Sequence, residues 1–452
     1  MAGPVLYGND SGAVISIRVS AGPHIDIGPA GGDSGLLGAV TVAAPALSPP
    51  AADPSGRRVV VTVVAIQLAA CLGFFSVMAH LVAHLRHDLG LLAGTVGLIL
   101  GARTGLQFAL LLPVGALTDL LGARRTGVIA CVVRAAGFAL LGVAEGVGAL
   151  LCAAVVLAVG GALYNPAAQS LLAAAGPAHR AGGFAAYVAA QHVATVAGPP
   201  VGLVLIGLGP GFALLTGVAA VMWAVAGALF LLLPRPSRPP AGASGAARVA
   251  RPLLGVWSGV RRVLGDRTFL LFALLTAPTT LLANHIMTAV PLLGFGSGAA
   301  TLCFCVLAAV AAAAQPFVAA GRRGERPWVL RAGLLCAAAA FFVLAPLDGT
   351  ELGPLLLAAV LNGVANGLIQ PSIFQRVTRH APAERFGSYY GVLAFCAGMF
   401  SFGGEMAVGR LFDLGSASAT AALAGVGAVA LVAAFGVRGP SATARDGRGA
   451  GS

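Results

Sequence analysis

Long apolar runs are the feature that most constrains the fold of this chain. Stretches of about 18 or more residues with few charges recur from Val59 to Phe435, and each can cross a bilayer as a helix. Only 9% of the 452 residues are charged, which is too few to cover a soluble protein of this size. We therefore predict an all-α integral membrane protein embedded in a lipid bilayer. We count twelve apolar segments, at roughly 59–84, 91–117, 126–144, 148–172, 182–206, 211–233, 269–293, 297–320, 328–346, 352–376, 386–411 and 416–437.

The arginines predict how these segments are oriented. All 27 basic residues are Arg, and 21 of them lie in the tails and alternate loops on one side of the segments. The loops on the other side contain two, Arg86 and Arg410, beside several acidic residues. The positive-inside rule then places both termini in the cytoplasm, with the helices in an inner or plasma membrane. Because the arginines are dispersed in small groups, we expect no nucleic-acid partner.

Composition divides the chain into two helical halves joined by a linker. Residues 1–56 are rich in Gly, Pro, Ala and Ser, and we expect a disordered cytoplasmic tail there. Residues 57–233 form the predicted first half, with six helices, and residues 269–437 form the second. The stretch 234–268 begins "PRPSRPPAGASGAARVA" and is predicted to be a flexible cytoplasmic linker. Residues 438–452 form a second cytoplasmic tail.

An internal repeat supports this division into halves. The segment "NPAAQSLLAAAGPAHRAGGF" (165–184) aligns with "QPSIFQRVTRHAPAERFGSY" (370–389) at a constant offset of 205, which matches Pro166 with Pro371. Both segments end an even-numbered helix, cross a basic loop and begin the next helix. Parallel repeats of this kind occur in secondary transporters, and their substrate site lies between the halves near the membrane midplane.

A charged, glycine-containing loop, "GALTDLLGARRTG", joins the second and third segments and begins at Gly115. Gly115 and Gly122 permit close packing and a tight turn. Arg124 and Arg125 are typical of a cytoplasmic loop. We expect Asp119 to meet a helix N-terminus of the other half, and so to hold the inner side closed in the outward-open state. The simpler interpretation is an ordinary positive-inside anchor.

This loop resembles the signature of the major facilitator superfamily, roughly G-x-L-x-D-x-x-G-R-[RK]-[RK], with Ala123 in place of one basic residue. Three further stretches are similar to the bacterial drug:proton antiporter family, namely "GARTGLQ" (101–107), "RAAGFALLGVA" (134–144) and "GRLFDLGSA" (409–417). The resemblance implies two parallel six-helix pseudo-repeats and a role in multidrug efflux. The fourth segment departs from the family, since it lacks the Arg that is usually found there and is linked to proton transfer.

The fifth segment contains "GPPVG" (198–202), which fits the G-P-x-x-G core of the antiporter signature. Pro199 and the proline after it remove backbone donors and kink the helix, while Gly198 and Gly202 allow close packing. Two interpretations stay open. The kink either seals the cavity against ion leak, as the resemblance implies, or serves only the packing of the helix.

Charged and polar side chains inside apolar segments are costly, so they are candidates for function. The candidates for transport or proton coupling are Glu405, Arg103, His192, Arg134, Asn284 and His285. Glu405 is the carboxylate that lies well inside a segment. We expect it to take up and release a proton, with Arg103 as a candidate partner across the cavity. The alternative for the two arginines is a structural contact with backbone carbonyls, and for the two histidines it is a hydrogen-bonded interior imidazole.

No metal, disulfide or other cofactor is expected. The seven Cys lie inside apolar segments, and no pair has the spacing of a zinc site. His80, His84 and His87 recur on one face of the first segment and are followed by Asp88, but no further ligands cluster nearby in the sequence.

Among the classes of function, secondary transport fits these features best. The sequence has no Walker A motif that would indicate ATP hydrolysis, and no HExxH or GxSxG motif that would support the remote alternative of an intramembrane enzyme. We predict a monomeric transporter that uses protons to export small amphipathic or apolar compounds by alternating access. The alternative is a metabolite uniporter or symporter of the same superfamily.

Overall fold

The computed structural model describes residues 5–8, 14–19, 25–29, 54–209, 211–233, 260–319, 323–381 and 386–437. The chain divides into two compact units, Met1–Ser55 and Gly56–Ser452. In the first unit, β1 (Val5–Gly8), β2 (Val14–Val19) and β3 (Ile25–Pro29) form an antiparallel sheet in that order.

These three strands differ from the disordered tail that the sequence predicts for residues 1–56. The register places Ile17 of β2 opposite Val5 on one side and Ile27 on the other. Apolar residues alternate in "VISIRV", as in a half-buried strand, but such short strands between Gly- and Pro-containing stretches give a weak signal. Residues 30–53 of the predicted tail lie outside the described residues.

In the described part of the second unit, twelve helices are long and apolar enough to cross a membrane, which confirms the predicted number of spans. They are α1 (Pro54–Ala83), α2 (Ala93–Leu121), α3 (Ala123–Val143), α4 (Val147–Ala173), α5 (Pro177–Gly207), α6 (Phe212–Leu231), α7 (Arg267–Leu292), α8 (Ser297–Ala319), α9 (Pro327–Leu344), α10 (Leu352–His380), α11 (Phe386–Asp413) and α12 (Ser416–Gly436). A π-helical turn, His84–Asp88, follows α1.

Helix α7 is interrupted near its middle. Its two pieces, Arg267–Thr276 and Pro278–Leu292, are separated by Ala277. Pro278 has no backbone N–H, so one α-helical hydrogen bond is missing at this point. The N–H of Ala277 donates instead to the carbonyl of Leu274, 3.3 Å away. The second piece contains the candidate residue His285.

Helix packing repeats between the two halves. α4 packs against α2 and α3, and α10 packs against α8 and α9 in the same way. The contact of α3 with α6 corresponds to the contact of α9 with α12. α4 contains Pro166 and α10 contains Pro371 in its interior, and these are the two prolines that the sequence repeat aligns. The halves are therefore parallel pseudo-repeats, as predicted.

Each half has its own apolar core. Phe138 and Phe230 are fully buried in the first half, and Phe304 and Phe341 are buried in the second. The halves meet where α2 packs against α11 and where α5 packs against α8. These two interfaces border the region in which most of the candidate residues lie.

The linker and the C-terminal tail fall largely outside the described residues. At the end of the predicted linker, residues 260–265 are helical. Asp266 then begins α7, because its Oδ1 accepts a hydrogen bond from the backbone N–H of Phe269 at 3.0 Å. The cytoplasmic position of both tails and of the linker stays a prediction.

Candidate functional site

The interface between α2 and α11 depends on glycine. A Cβ atom at Gly101 would lie 2.9 Å from the carbonyl oxygen of Phe402, and one at Gly97 would overlap the carbonyl oxygen of Glu405. Residues without a side chain permit this close approach of two helix backbones. The interface therefore fixes the backbone of Glu405 against α2. The glycines of α2 that face α11 are Gly94, Gly97, Gly101 and Gly105.

Glu405 forms a buried contact with His285 of α7. Nδ1 of His285 lies 2.9 Å from Oε2 of Glu405, and their side chains are 0% and 5% exposed. Nε2 of His285 has no hydrogen-bond partner among the described residues. A neutral imidazole can donate one N–H to a carboxylate, and an imidazolium can form an ion pair, so the contact accommodates an added proton. The sequence selects both residues separately, and the structure brings them together.

Arg103 of α2 lies close enough to Glu405 to interact with it electrostatically. The hydrogen-bond partner of the carboxylate, however, is His285 rather than Arg103. Nη2 of Arg103 donates to the hydroxyl of Thr104 at 3.2 Å, and its Nε has no partner in the described part of the chain. The guanidinium of Arg103 is therefore only partly satisfied by hydrogen bonds.

Arg134 of α3 packs against the glycine pair of α4. A Cβ atom at Gly160 would lie 2.7 Å from Cγ of Arg134, and one at Gly161 would overlap its guanidinium. Nη2 donates to Oε1 of Gln107 at 3.2 Å, and Nε has no partner within the described ranges. The sequence of α4 lacks the arginine usual in the drug:proton antiporter family, but an arginine from α3 lies against the same helix.

Aromatic rings pack on both guanidinium groups. Cζ of Arg103 lies 5.6 Å from the centroid of the Phe74 ring, and Cζ of Arg134 lies 5.0 Å from the same centroid. Arg134 is also 5.0 Å from the ring centroid of Trp223. The described contacts of the two arginines are therefore with side chains.

The glycines of "GPPVG" bring α5 close to α1. A Cβ atom at Gly198 would lie 2.7 Å from Cβ of Phe75, and one at Gly202 would lie 2.6 Å from Cδ2 of His80. These contacts lie within the first half. They are the close packing that the sequence predicts for this stretch, whereas a role in preventing ion leak stays a prediction.

The prolines of the same stretch free backbone groups for contacts outside α5. Pro200 has no N–H to offer the carbonyl of Val196, one turn earlier in the helix. That carbonyl accepts a hydrogen bond from Sγ of Cys305 in α8 at 3.4 Å. The carbonyl of Pro199 lies 2.9 Å from Nε2 of His80. These two carbonyls therefore link α5 both to α1 and to the second half.

His192 of α5 also contacts the second half. Its Nε2 lies 2.7 Å from Oε1 of Gln315 in α8, so it is a hydrogen-bonded histidine at the interface of the halves. Asn284 of α7 is exposed, in contrast to the adjacent His285. The sequence analysis missed Gln315, although an amide inside an apolar segment is a signal that could have found it.

A chain of polar side chains in the first half was missed as well. The hydroxyl of Tyr164 in α4 donates to Oε1 of Gln67 in α1 at 2.8 Å. Nε2 of Gln67 lies 3.4 Å from Oε1 of Gln191 in α5. These residues link three helices through side chains alone.

Asp413, the last residue of α11, caps the start of α2. Its Oδ1 accepts a hydrogen bond from the N–H of Ala93 at 2.7 Å, and its Oδ2 accepts one from the N–H of Gly94 at 2.8 Å. The first N–H groups of a helix lack intrahelical partners and carry partial positive charge, so a carboxylate is stabilised there. This outer cap joins the halves at the end of α2 that is predicted to lie outside. Asp413 is not among the candidate residues that the sequence indicates.

The charged loop between α2 and α3 turns at Gly122, whose φ of 81° favours glycine. Nε of Arg124 donates to the carbonyl of Phe230 at 3.2 Å, and Nη2 donates to the next carbonyl, so Arg124 satisfies the last turn of α6. Arg125 is exposed. The packing of Gly115 and Asp119 lies outside the described residues, and the contact of Asp119 with the second half stays a prediction.

The histidines near the end of α1 do not converge on one point. His80 contacts the carbonyl of Pro199, whereas Nδ1 of His84 lies 2.7 Å from Oδ2 of Asp88. The His84 ring stacks on Phe212 at a centroid distance of 3.8 Å. Among the described residues, no group of three or more His, Cys, Asp or Glu side chains could hold a metal ion.

Comparisons with known proteins agree with this architecture. An uncharacterised MFS-type transporter of Mycobacterium tuberculosis (strain ATCC 25618 / H37Rv) is 27% identical over 367 residues, which are 77% of this chain and 84% of the relative. Multidrug resistance protein MdtH of Photorhabdus laumondii is 30% identical over 228 residues, so the match spans 50% of this chain and 54% of that protein. The crystal structure of a POT family transporter superposes with a TM-score of 0.68 at 13% identity, covering 83% of this chain and 94% of that one. A family profile described as Major Facilitator Superfamily matches residues 63–405, and the chain belongs to that superfamily of membrane transporters.

Proposed function

We propose that the chain is a proton-coupled secondary transporter that exports small amphipathic or apolar compounds by alternating access. The observation that carries this proposal is the buried contact between His285 and Glu405. Such a pair can hold or release a proton inside an apolar bundle, where an ionised carboxylate without a partner would be costly. Protons and small molecules would be its transported partners, and a single chain contains both halves that this cycle needs.

The position of Glu405 links its protonation to movement of the halves. Gly97 of α2 packs directly on the backbone of Glu405, so the environment of the carboxylate changes when α2 and α11 separate. In the proposed cycle, separation exposes the pair on the predicted outer side for proton uptake. Closure buries it again before the proton is released on the inner side.

The contacts between α2 and α11 support a state that is closed on the predicted outer side. They begin at the outer cap formed by Asp413 and extend to Phe108, whose Cβ atom packs on Gly398. In the opposite state of the proposed cycle these contacts open, and Asp119 closes the inner side. Export is the direction supported by the match to MdtH, which is named as a multidrug resistance protein.

The proposal is tested with protein reconstituted into vesicles that contain the pH-sensitive dye pyranine. A panel of amphipathic compounds is added, and proton movement and compound accumulation are measured with and without a pH gradient. We expect Glu405→Gln to abolish accumulation driven by the gradient while exchange of bound compound continues. Glu351→Gln is the matched control, since Glu351 precedes α10 and is exposed.

Accumulation by Glu405→Gln with the pH dependence of the unmodified protein would show that Glu405 is not the coupling group. His192 would then be tested as His192→Asn, because it is the histidine that joins α5 to α8. If both variants accumulate compounds normally, neither residue is the coupling group. If the unmodified protein only equilibrates compounds and a pH gradient drives no accumulation, the proposal of proton coupling is replaced by facilitated diffusion.

A second candidate function is metabolite symport or uniport. Arg103 and Arg134 favour it, because neither has a carboxylate within ion-pair distance in the described part of the chain. A bundle that handled only neutral apolar compounds would have little use for two such charges.

A further inference from the structure

The two arginines of the first half form a positive site that has no carboxylate within ion-pair distance among the described residues. Arg103 and Arg134 interact electrostatically with each other, and their side chains contact the same Phe74 ring. The other titratable groups that interact with Arg134 are Cys71, Cys131 and Tyr164, which are ordinarily neutral at pH 7. Two like charges therefore lie close together in an apolar bundle.

The N–H donors of the same two arginines are only partly used in hydrogen bonds. Arg134 is 5% exposed, and Nε of Arg103 and Nε of Arg134 are both buried without a partner among the described residues. Arg103 donates to Thr104 and Arg134 to Gln107, each through one nitrogen at 3.2 Å, although a guanidinium has five N–H donors. An unpaired buried charge is strongly destabilising, and it is stabilised by a partner of opposite sign.

From these observations we infer that Arg103 and Arg134 bind the negatively charged group of the transported compound, a small organic anion whose carboxylate is attached to an apolar body. Guanidinium and carboxylate groups match in charge and planar geometry. Arg103 is the partly exposed member and makes the direct contact, while the buried Arg134 adds the second positive charge. The apolar helices around Phe74 and Trp223 suit the rest of such a compound. The inference rests on the proposed function in one respect, that the halves enclose a transport site.

The bound anion is linked to the proton site through Arg103. The groups that face Glu405 from the packed helices are His285 of α7 and Arg103 of α2. The negative charge of ionised Glu405 weakens the attraction between Arg103 and a bound anion. The anion therefore binds more tightly when Glu405 is protonated. Anion and proton then bind together, which is the linkage of the second candidate function, symport, rather than of exchange.

The test measures binding to purified protein in detergent, without any gradient. The probes are 2-naphthoate and two analogues with the same ring, 2-naphthylmethanol and 2-naphthylmethylammonium, together with chloride and inorganic phosphate. We expect 2-naphthoate alone to raise the melting temperature in a saturable way. Arg103→Gln should weaken its binding about tenfold or more, as expected for loss of a charged hydrogen bond. Arg134→Gln should also weaken binding, because the second positive charge is lost, and Arg134→Lys, which keeps that charge, should retain part of the affinity.

Two further variants make the test specific. Arg331→Gln is the matched control, because Nε of Arg331 donates to the carbonyl of Val437 at 2.8 Å, outside this site. It should bind 2-naphthoate as the unmodified protein does. Glu405→Gln should bind it more tightly, since the competing carboxylate is removed. If Arg134→Gln does not fold, Arg103→Gln and Glu405→Gln decide the matter.

The inference is overturned if 2-naphthoate does not stabilise the protein, if the neutral or cationic analogue or an inorganic anion stabilises it equally, or if Arg331→Gln loses as much binding as Arg103→Gln. Such results leave the proposed proton coupling intact, because that is measured separately by gradient-driven accumulation in vesicles. Conversely, loss of coupling in vesicles has no bearing on whether the anion binds in detergent.

Discussion

Asp413 of α11 accepts a hydrogen bond from the backbone N–H of Ala93 in α2 at 2.7 Å, and so joins the ends of two helices that belong to different halves. The second carboxylate oxygen is bonded to the N–H of Gly94, so the outer cap uses both oxygens. Since the contact exists only while these ends are together, it stabilises the state that is closed on the predicted outer side.

Asp413→Ala is therefore expected to shift the protein towards the outward-open state. Loss of a helix cap costs about 0.5–2 kcal/mol, which corresponds to about a 2- to 30-fold change in the ratio of the two states. Spin labels at the exposed residues Leu208 and Ser416 would report a larger share of long distances. Asp88→Ala is the control, because Asp88 bonds to His84 within its own half. An unchanged distance distribution in Asp413→Ala would contradict a role for the cap.

Gly97→Ala is expected to reduce transport, because its Cβ atom would overlap the carbonyl oxygen of Glu405. In this variant α2 and α11 must move apart next to Glu405, and the distance between His285 and Glu405 would change with them. Gly403→Ala in α11 is the matched control, since nothing lies within 4 Å of a Cβ atom placed there. Both variants are assayed for accumulation at equal protein level. Equal activity of the two would show that the close approach at Gly97 is dispensable.

The sequence predicts the fold well because its main signals are local. Apolar length defines each of the twelve spans, and the repeat around Pro166 and Pro371 is visible as a constant offset. Contacts between residues far apart in sequence have no such signal. The pairing of Glu405 with His285, 120 positions away, depends on how α7 packs against α11 and how closely α11 approaches α2.

Arg134 illustrates the same limit. The sequence identifies it as a costly charge inside α3, but it does not show the position of the guanidinium. That group lies against Gly161 of α4 and beside Gln107 of α2. That position depends on helix packing and on a long, flexible side chain. Asp413 was missed because an acidic residue at a helix end is normally interpreted as part of a loop, and its partners are backbone N–H groups that no sequence motif displays.

Acid is expected to weaken the packing of α7 against α10 and α11. Partial burial opposes ionisation of Asp266, but hydrogen bonds from the Phe269 N–H, His380 and Tyr389 together hold the pKa of its carboxyl below the ordinary value. A lowered pKa stabilises the folded protein above the ordinary Asp value of about 3.9, and this stabilisation is lost as the pH falls through the lower value in the folded state. The difference in melting temperature between the protein and Asp266→Asn should therefore shrink as the pH falls below about 3.9. A difference that stays constant or grows below that pH would contradict this account.

Labelling of cysteines tests the orientation of the whole chain. With the native Cys replaced, cysteines at Ser244 in the linker and Ser441 in the C-terminal tail should react with an impermeant maleimide only from the cytoplasmic side. The reason is the strong bias of arginine towards one set of loops. A cysteine at Thr350, in the loop between α9 and α10, should react only from the opposite side and serves as the control. Reaction of Ser441→Cys from outside would overturn the predicted orientation of both termini.

Substitution of Asp119 is expected to shift the conformational equilibrium in the direction opposite to substitution of Asp413. If its carboxylate meets a helix N-terminus of the second half on the inner side, it stabilises the outward-open state, and Asp119→Asn should shift the protein towards the inward-open state and slow transport without reducing insertion. Arg125→Gln, an exposed change in the same loop, is the control for a general effect of loop charge. The Leu208–Ser416 spin-label distances should shorten on average in Asp119→Asn and lengthen in Asp413→Ala. The mean distance in the double variant should lie between those of the two single variants, because each change removes a contact from a different state. Normal turnover in Asp119→Asn at unchanged protein level, or a shift in the same direction as Asp413→Ala, would show that the inner side is closed by other residues.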